Sequence, residues 1–132
     1  MYFYQAYAHY PWKLLLKSGT EGVAISNYGR NLMKEMMLVY DGNQHRYAQI
    51  AGHGFRILAE AMVKDLPYEI KWPSMLICGT KEHAGSCIRY NREWHRKMEI
   101  PLKWIEGAGH NSNTDKLEMI NSLLEEFFSN IL

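Results

Sequence analysis

Two short, mainly apolar segments constrain the fold of this chain more than any other feature. Residues 75–78 (MLIC) and 102–105 (LKWI) are each preceded by a proline and followed by a glycine within two positions. The intervening segment 85–98 has helical spacing of its apolar residues. Because a continuous apolar run of this length is typical of a strand buried on both faces, we expect two neighbouring parallel strands joined by one helix.

The remainder of the chain has helical patterning. A closing helix is predicted over about 115–131. Helices are also predicted after Pro11, from Ser26 or Asn27 to about 40, and over about 44–63. In the last of these, one face would carry Tyr47, Ile50, Ala51, Gly54, Leu58, Ala61 and Met62. The sequence therefore predicts an α/β protein, with a helical region over 1–67 and a β-α-β-α unit with parallel strands over 68–132.

Composition excludes several classes of protein. The formal net charge is +1 with acids and bases interspersed, so a nucleic acid partner is not expected. The apolar runs are too short to span a membrane, and the first ten residues lack the charged leader of a signal peptide. Cys78 and Cys87 have no metal-type spacing, which favours reduced thiols in a cytoplasmic protein.

The residues that could carry chemistry follow the two predicted strands. Glu82 lies four residues after the first strand, and His110 follows the second strand after Gly-Ala-Gly. Because parallel neighbours end at the same edge of a sheet, the two side chains should meet there. A carboxylate beside a histidine fixes the ring's tautomer and stabilises the imidazolium, as in a nucleophile–base–acid relay. Spacing alone also permits a surface glutamate and an unrelated loop histidine.

Two other chemistries use the same loops. Cys87 could act as a nucleophile with His83, although nothing in the sequence activates its thiol. Glu82, His83 and His110 could bind a metal, but ligand spacing across two loops carries little information. We therefore expect neither a metal nor an organic cofactor.

Several motifs resemble the C-terminal part of the α/β-hydrolase superfamily. Segment 73–85 (PSMLICGTKEHAG) is similar to the strand and turn that carry the family's acid, and 101–113 (PLKWIEGAGHNSN) to the strand and loop of its histidine. The helix that closes the same fold resembles the stretch from Asp115 to Phe128. Segments 27–30 (NYGR) and 52–55 (GHGF) resemble parts of the helical cap, which would make 1–67 a cap-like region.

The resemblance implies a catalytic pair and a missing partner for it. His110 would be the general base and acid, and Glu82 would orient it, although the family's acid is usually aspartate. No Gly-x-Ser-x-Gly nucleophile elbow is present, and in this fold the elbow precedes the cap. The chain thus resembles a C-terminal fragment or truncated homologue of a hydrolase.

The intact relative would cleave an ester, amide or carbon–carbon bond of a small apolar substrate. The resemblance also leads us to expect a homo-oligomer, or association with a separate N-terminal half. The alternative is a non-catalytic binding or interaction protein derived from the same fold.

Overall fold

The computed structural model describes residues 2–63 and 69–131, and it combines helices with a small parallel sheet. In chain order the elements are α1 (Tyr2–His9), α2 (Trp12–Glu21), α3 (Asn27–Leu38), α4 (Gln44–Val63), β1 (Leu76–Gly79), α5 (Cys87–Met98), β2 (Leu102–Ile105), α6 (Ser112–Asp115) and α7 (Leu117–Ser129). The predicted division at 67/68 lies outside the described residues. A mixed α/β chain with helices first and β-α-β after them is what the sequence predicts.

Helices α1 and α4 pack closely because α4 presents small residues to α1. Ala48 and Gly52 are buried, and a Cβ on Gly52 would lie 3.0 Å from the backbone nitrogen of Tyr4. Gln44, the first residue of α4, donates hydrogen bonds of 2.7 and 2.6 Å to the carbonyl oxygens of Tyr7 and Tyr10. These bonds satisfy carbonyls at the end of α1 that its own helix cannot.

An aromatic cluster joins these helices to α2. Tyr47 of α4 meets the rings of Tyr7, Trp12 and Tyr40 at centroid distances of 6.0, 5.6 and 5.7 Å, each edge to face. Such geometry adds to the free energy of burial because ring edges and faces carry opposite partial charge. The aromatic residues therefore hold the helical region together where few large aliphatic side chains are buried.

Helix α3 begins where the sequence predicts a cap. The Ser26 hydroxyl accepts a hydrogen bond of 2.9 Å from the Gly29 backbone N–H, which satisfies one of the free donors of the first turn. Met37, near the end of α3, is 2% exposed and packs against Gly19 of α2. The preceding residue, Met36, instead points to solvent, with 57% of its surface exposed.

Strands β1 and β2 are parallel neighbours, with register from Leu76 opposite Leu102 to Gly79 opposite Ile105. Arg92 of α5 lies over the Trp104 ring, with its guanidinium carbon 5.3 Å from the ring centroid, and so helps to hold α5 against β2. Within the described ranges, the edge of β1 away from β2 pairs with no other strand.

A small core lies beneath the sheet. Ile105, Ala108 and Ile120 are buried together, with Ile77 and Leu123 packed against them. The predicted closing helix over about 115–131 corresponds to α7 (Leu117–Ser129). A short helix, α6, precedes it and is separated from it at Lys116, whose backbone has φ −140° and ψ 58°. In the part of the chain described, no helix is both long and apolar enough to cross a membrane.

Candidate active site at the strand ends

The two loops that follow β1 and β2 are held together through their backbones. Gly79 is essential to this approach, since a Cβ there would overlap the carbonyl oxygen of Ala108. The same carbonyl accepts a hydrogen bond of 2.9 Å from the Lys81 N–H, and the Thr80 hydroxyl accepts one of 2.9 Å from the Gly107 N–H. Any side chain at Gly79 would therefore force the loops apart.

Glu82 and His110 meet across these loops, as the strand pattern predicts. Oε2 of Glu82 lies 2.7 Å from Nδ1 of His110, although 28 residues separate them. The other carboxylate oxygen accepts a hydrogen bond of 2.5 Å from the Ala84 N–H. Glu82 is 6% exposed, whereas the His110 side chain is 42% exposed. One partner is thus fixed in the protein, and the other is open to an incoming group.

This geometry determines which ring nitrogen of His110 carries the proton. An ionised carboxylate can only accept, so Nδ1 must donate to Glu82 in the neutral ring. Nε2 is then the nitrogen with the free lone pair, and it has no hydrogen-bond partner within 2–63 and 69–131. A histidine arranged in this way can take a proton at Nε2 while the carboxylate stabilises the resulting imidazolium.

Asp115 holds the His110 loop against the helical region. Its carboxylate accepts hydrogen bonds from the backbone N–H groups of Ile25 (2.9 and 3.0 Å to its two oxygens), Ser26 (2.7 Å) and Gly109 (2.8 Å). Burial by itself raises the pKa of Asp115, but the N–H groups of Ser26, Gly109 and Ile25 together bring it below its ordinary value.

Asp115 therefore ties the residue before His110 to the residues that begin α3. Sequence reasoning interpreted it only as the start of the closing helix. No local signal indicates this role, because its partners at positions 25 and 26 lie about 90 residues away along the chain.

Helix α3 also borders the site directly. The Asn111 amide donates to the Met33 sulfur at 3.7 Å, and the Asn111 N–H donates to the Val23 carbonyl at 2.8 Å. The Ser26 hydroxyl donates to the Thr114 carbonyl at 3.2 Å. The helical region thus contacts the residues that follow His110.

Cys87 is the third reactive side chain at this site. Its sulfur, one oxygen of Glu82 and one ring nitrogen of His110 lie within 4.8 Å of one another. Burial raises the pKa of the Cys87 thiol, and the negative charge of Glu82 raises it further, so the thiol is a poor nucleophile at neutral pH. His83, which the sequence suggested as its partner, is exposed and is not in this group.

A groove of about 530 Å³ runs from Glu82 along α5. Arg89, Arg92 and Arg96 line it together with Glu82 and Glu93, and Glu93 forms an ion pair with Arg96. No hydrogen bond among the described residues links a serine hydroxyl to His110. The site therefore pairs a histidine with a carboxylate, and among the described residues no serine hydroxyl is hydrogen-bonded to that histidine.

Comparison with known proteins identified no relative of this chain. The scan against protein families, the search of curated proteins and the search of solved structures all found no match.

Proposed function

We propose that this chain supplies the histidine and acid of a serine-hydrolase relay, within an incomplete α/β-hydrolase fold. The observation that carries the proposal is the bond of 2.7 Å from His110 Nδ1 to a Glu82 carboxylate that is only 6% exposed. The motifs of 73–85 and 101–113 support the choice of this superfamily. The placement of α3 beside Asn111 supports a cap over the site.

In this role each residue would have one task. His110 Nε2 would remove the proton from a nucleophilic hydroxyl as it attacks the substrate, and would later return a proton to the leaving group. Glu82 would keep the proton on Nδ1 and stabilise the imidazolium between the two steps. The Ala84 N–H holds the second oxygen of Glu82, so the carboxylate stays aligned with the ring.

The nucleophile and the oxyanion donors are proposed to lie on a segment outside these 132 residues, since no Gly-x-Ser-x-Gly occurs among them. The free edge of β1 is where a preceding strand of that segment would pair. The substrate would carry an ester, amide or carbon–carbon bond in a small apolar molecule, and Met33 and its neighbours on α3 would contribute apolar lining. The groove between Glu82 and α5 is not assigned to the substrate.

The test begins with the DNA immediately upstream of the coding sequence. An open reading frame there, in frame or shifted, should encode a Gly-x-Ser-x-Gly elbow. Co-expressed with that product, the chain should form a complex that hydrolyses p-nitrophenyl esters and reacts at the elbow serine with a fluorophosphonate probe. The chain alone should do neither, because it lacks the covalent route and the oxyanion donors.

Matched variants distinguish a loss of relay function from a general loss of structure. His110→Ala should reduce kcat of the complex by about 100- to 10,000-fold, the usual contribution of general acid–base catalysis. Glu82→Gln should reduce kcat with little change in KM, whereas the exposed neighbour variant His83→Ala should leave both unchanged. A complex that keeps its activity after His110→Ala would contradict the proposal. Stoichiometric serine labelling of the isolated chain would also contradict it.

A second candidate function is non-catalytic interaction, and one observation favours it. Ile50, Ile57, Leu58 and Met62 of α4 each expose between 46 and 55% of their surface, an arrangement that suits a binding surface. Two results together would favour this function over the relay. The upstream DNA would encode no nucleophile elbow, and the His110→Ala variant would bind its partner as the wild type does.

A further inference from the structure

We infer that Glu82, Cys87 and His110 form a binding site for one zinc ion. A carboxylate oxygen, a sulfur and an imidazole nitrogen lie within 4.8 Å of one another at the strand ends. These are the three ligand types that proteins use for Zn²⁺, and three protein ligands leave the fourth tetrahedral position for water. The site needs only these donors, so it does not depend on the hydrolase proposal.

The three donors come from separate parts of the fold. Glu82 lies in the turn after β1, Cys87 is the first residue of α5, and His110 follows β2. Gly79 and the paired loop backbones hold the first and third of these segments in contact. Because these backbone contacts hold two of the segments together and α5 begins five residues after Glu82, the convergence is a property of the folded chain and needs no new loop conformation.

The distances suit a zinc ion after a small adjustment. Zinc–ligand bonds of about 2.0–2.3 Å in a tetrahedron place ligand atoms roughly 3.3–3.6 Å apart. The present cluster reaches 4.8 Å at most, so side-chain rotations that move an atom by about one ångström would close it. The His110 side chain is 42% exposed, which gives the ion a path from solvent to the buried carboxylate.

Charge and donor type favour zinc over the common alternatives. Binding would convert the Cys87 thiol to a thiolate and release its proton to solvent, and the ion would then face a thiolate, a carboxylate and a neutral ring. Mg²⁺ and Ca²⁺ prefer sets of oxygen ligands, so neither suits a sulfur and a nitrogen donor. Zn²⁺ is the abundant divalent ion that accepts all three.

Cobalt substitution tests the site directly. The purified chain, kept reduced with a phosphine, is titrated with Co²⁺ and then with Zn²⁺. We expect a thiolate-to-cobalt charge-transfer band in the near ultraviolet that saturates at one ion per chain and disappears on adding one equivalent of Zn²⁺. Zinc affinity is then measured by calorimetry for the wild type and for variants.

The variants identify the ligands. Cys87→Ser, His110→Ala and Glu82→Gln should each weaken zinc binding by more than about tenfold, and Cys87→Ser should abolish the charge-transfer band. His83→Ala and Cys78→Ala, which alter a neighbouring histidine and the other thiol, should change affinity by less than about twofold.

Zinc should also slow alkylation of Cys87 by iodoacetamide in the wild type, a measurement that remains decisive if a variant fails to fold. Absence of the cobalt band, its retention in Cys87→Ser, or alkylation unaffected by zinc would each overturn the site. None of these readouts involves ester hydrolysis, so the relay and the zinc site can fail separately.

Discussion

The helical region and the β-α-β-α unit use apolar residues in different ways. In the unit over 69–131, Ile105, Ala108 and Ile120 form a continuous buried cluster under two paired strands. In the helical region, α4 packs on α1 through Ala48 and Gly52, while its larger aliphatic side chains remain on the surface.

The difference shows that an apolar pattern determines which face can be buried, and that a facing element determines whether it is buried. The predicted face of α4 runs from Tyr47 to Met62, yet Ile50, Leu58 and Met62 on it are 46, 55 and 47% exposed. Burial contributes free energy only where another surface excludes water. A surface that covers α4, such as the sheet expected in the resembled fold, is not among the described residues.

The largest effect that follows from this contrast is self-association through the uncovered surfaces. The chain should not persist as a monomer, because the apolar residues of α4 and the free edge of β1 would pair with a second copy. A dimer that survives at about 1 μM requires about 8 kcal/mol of association free energy. Light scattering coupled to size exclusion, carried down to low micromolar protein, measures it.

Leu58→Lys and Met62→Lys should shift that equilibrium toward monomer, and Asn113→Lys, on an exposed residue of α6, is the matched control. A well-folded wild-type monomer over the whole range would show that these surfaces need no partner. The account of a missing half would then be wrong.

The next effect compares one aliphatic residue from each region. Ile105→Ala removes a side chain that is 0% exposed and should cost about 2–5 kcal/mol of unfolding free energy through lost burial and the cavity it leaves. Leu58→Ala, at a residue 55% exposed, should change it by less than about 0.5 kcal/mol. Urea denaturation at one protein concentration compares them. Equal costs would mean that Leu58 is buried in solution.

Asp115 tests the junction between the two regions. Asp115→Asn should cost about 1–3 kcal/mol of unfolding free energy, because charge-assisted hydrogen bonds to Ile25, Ser26 and Gly109 are weakened. The folded-state pKa of Asp115 is lowered, so its contribution is present above the unfolded value of about 4 and is lost as the pH falls through the folded value.

The wild type and Asp115→Asn should therefore differ in stability at pH 6 and converge in acid. Denaturant titrations at several pH values measure this, with the exposed turn variant Asp41→Asn as the control. A difference that stays constant down to pH 2 would assign the cost to side-chain shape and remove the electrostatic explanation.

The last comparison takes one glycine from each region. Gly79→Ala should destabilise the fold by about 1–3 kcal/mol and separate Glu82 from His110, because its Cβ would overlap the Ala108 carbonyl oxygen. Gly54→Ala in α4, with nothing within 4 Å of its Cβ, should stabilise the helix by about 0.5–1 kcal/mol. Thermal unfolding and the His110 proton shifts measure both. A tolerated Gly79→Ala would show that the loops do not approach so closely.

Local sequence signals account for most of the helix and strand bounds. The Ser26 cap begins α3, and the glycine after each apolar run ends its strand within one or two residues. The meeting of Glu82 and His110 was also predictable, because parallel neighbouring strands bring their following loops to one edge. Signals of this kind act over a few residues, so they can be recognised in the sequence without knowledge of the tertiary structure.

Only the tertiary structure decided the rest. A short helix, α6, precedes the closing helix and ends at Asp115, whose carboxylate accepts hydrogen bonds from N–H groups about 90 residues away. Cys87 reaches Glu82 and His110 because the close contact of the two loops places them beside the start of α5. Which face of α4 is buried depended on the small residues that fit α1. Each outcome rests on contacts between distant segments, whose free energy exists only once the chain has brought them together.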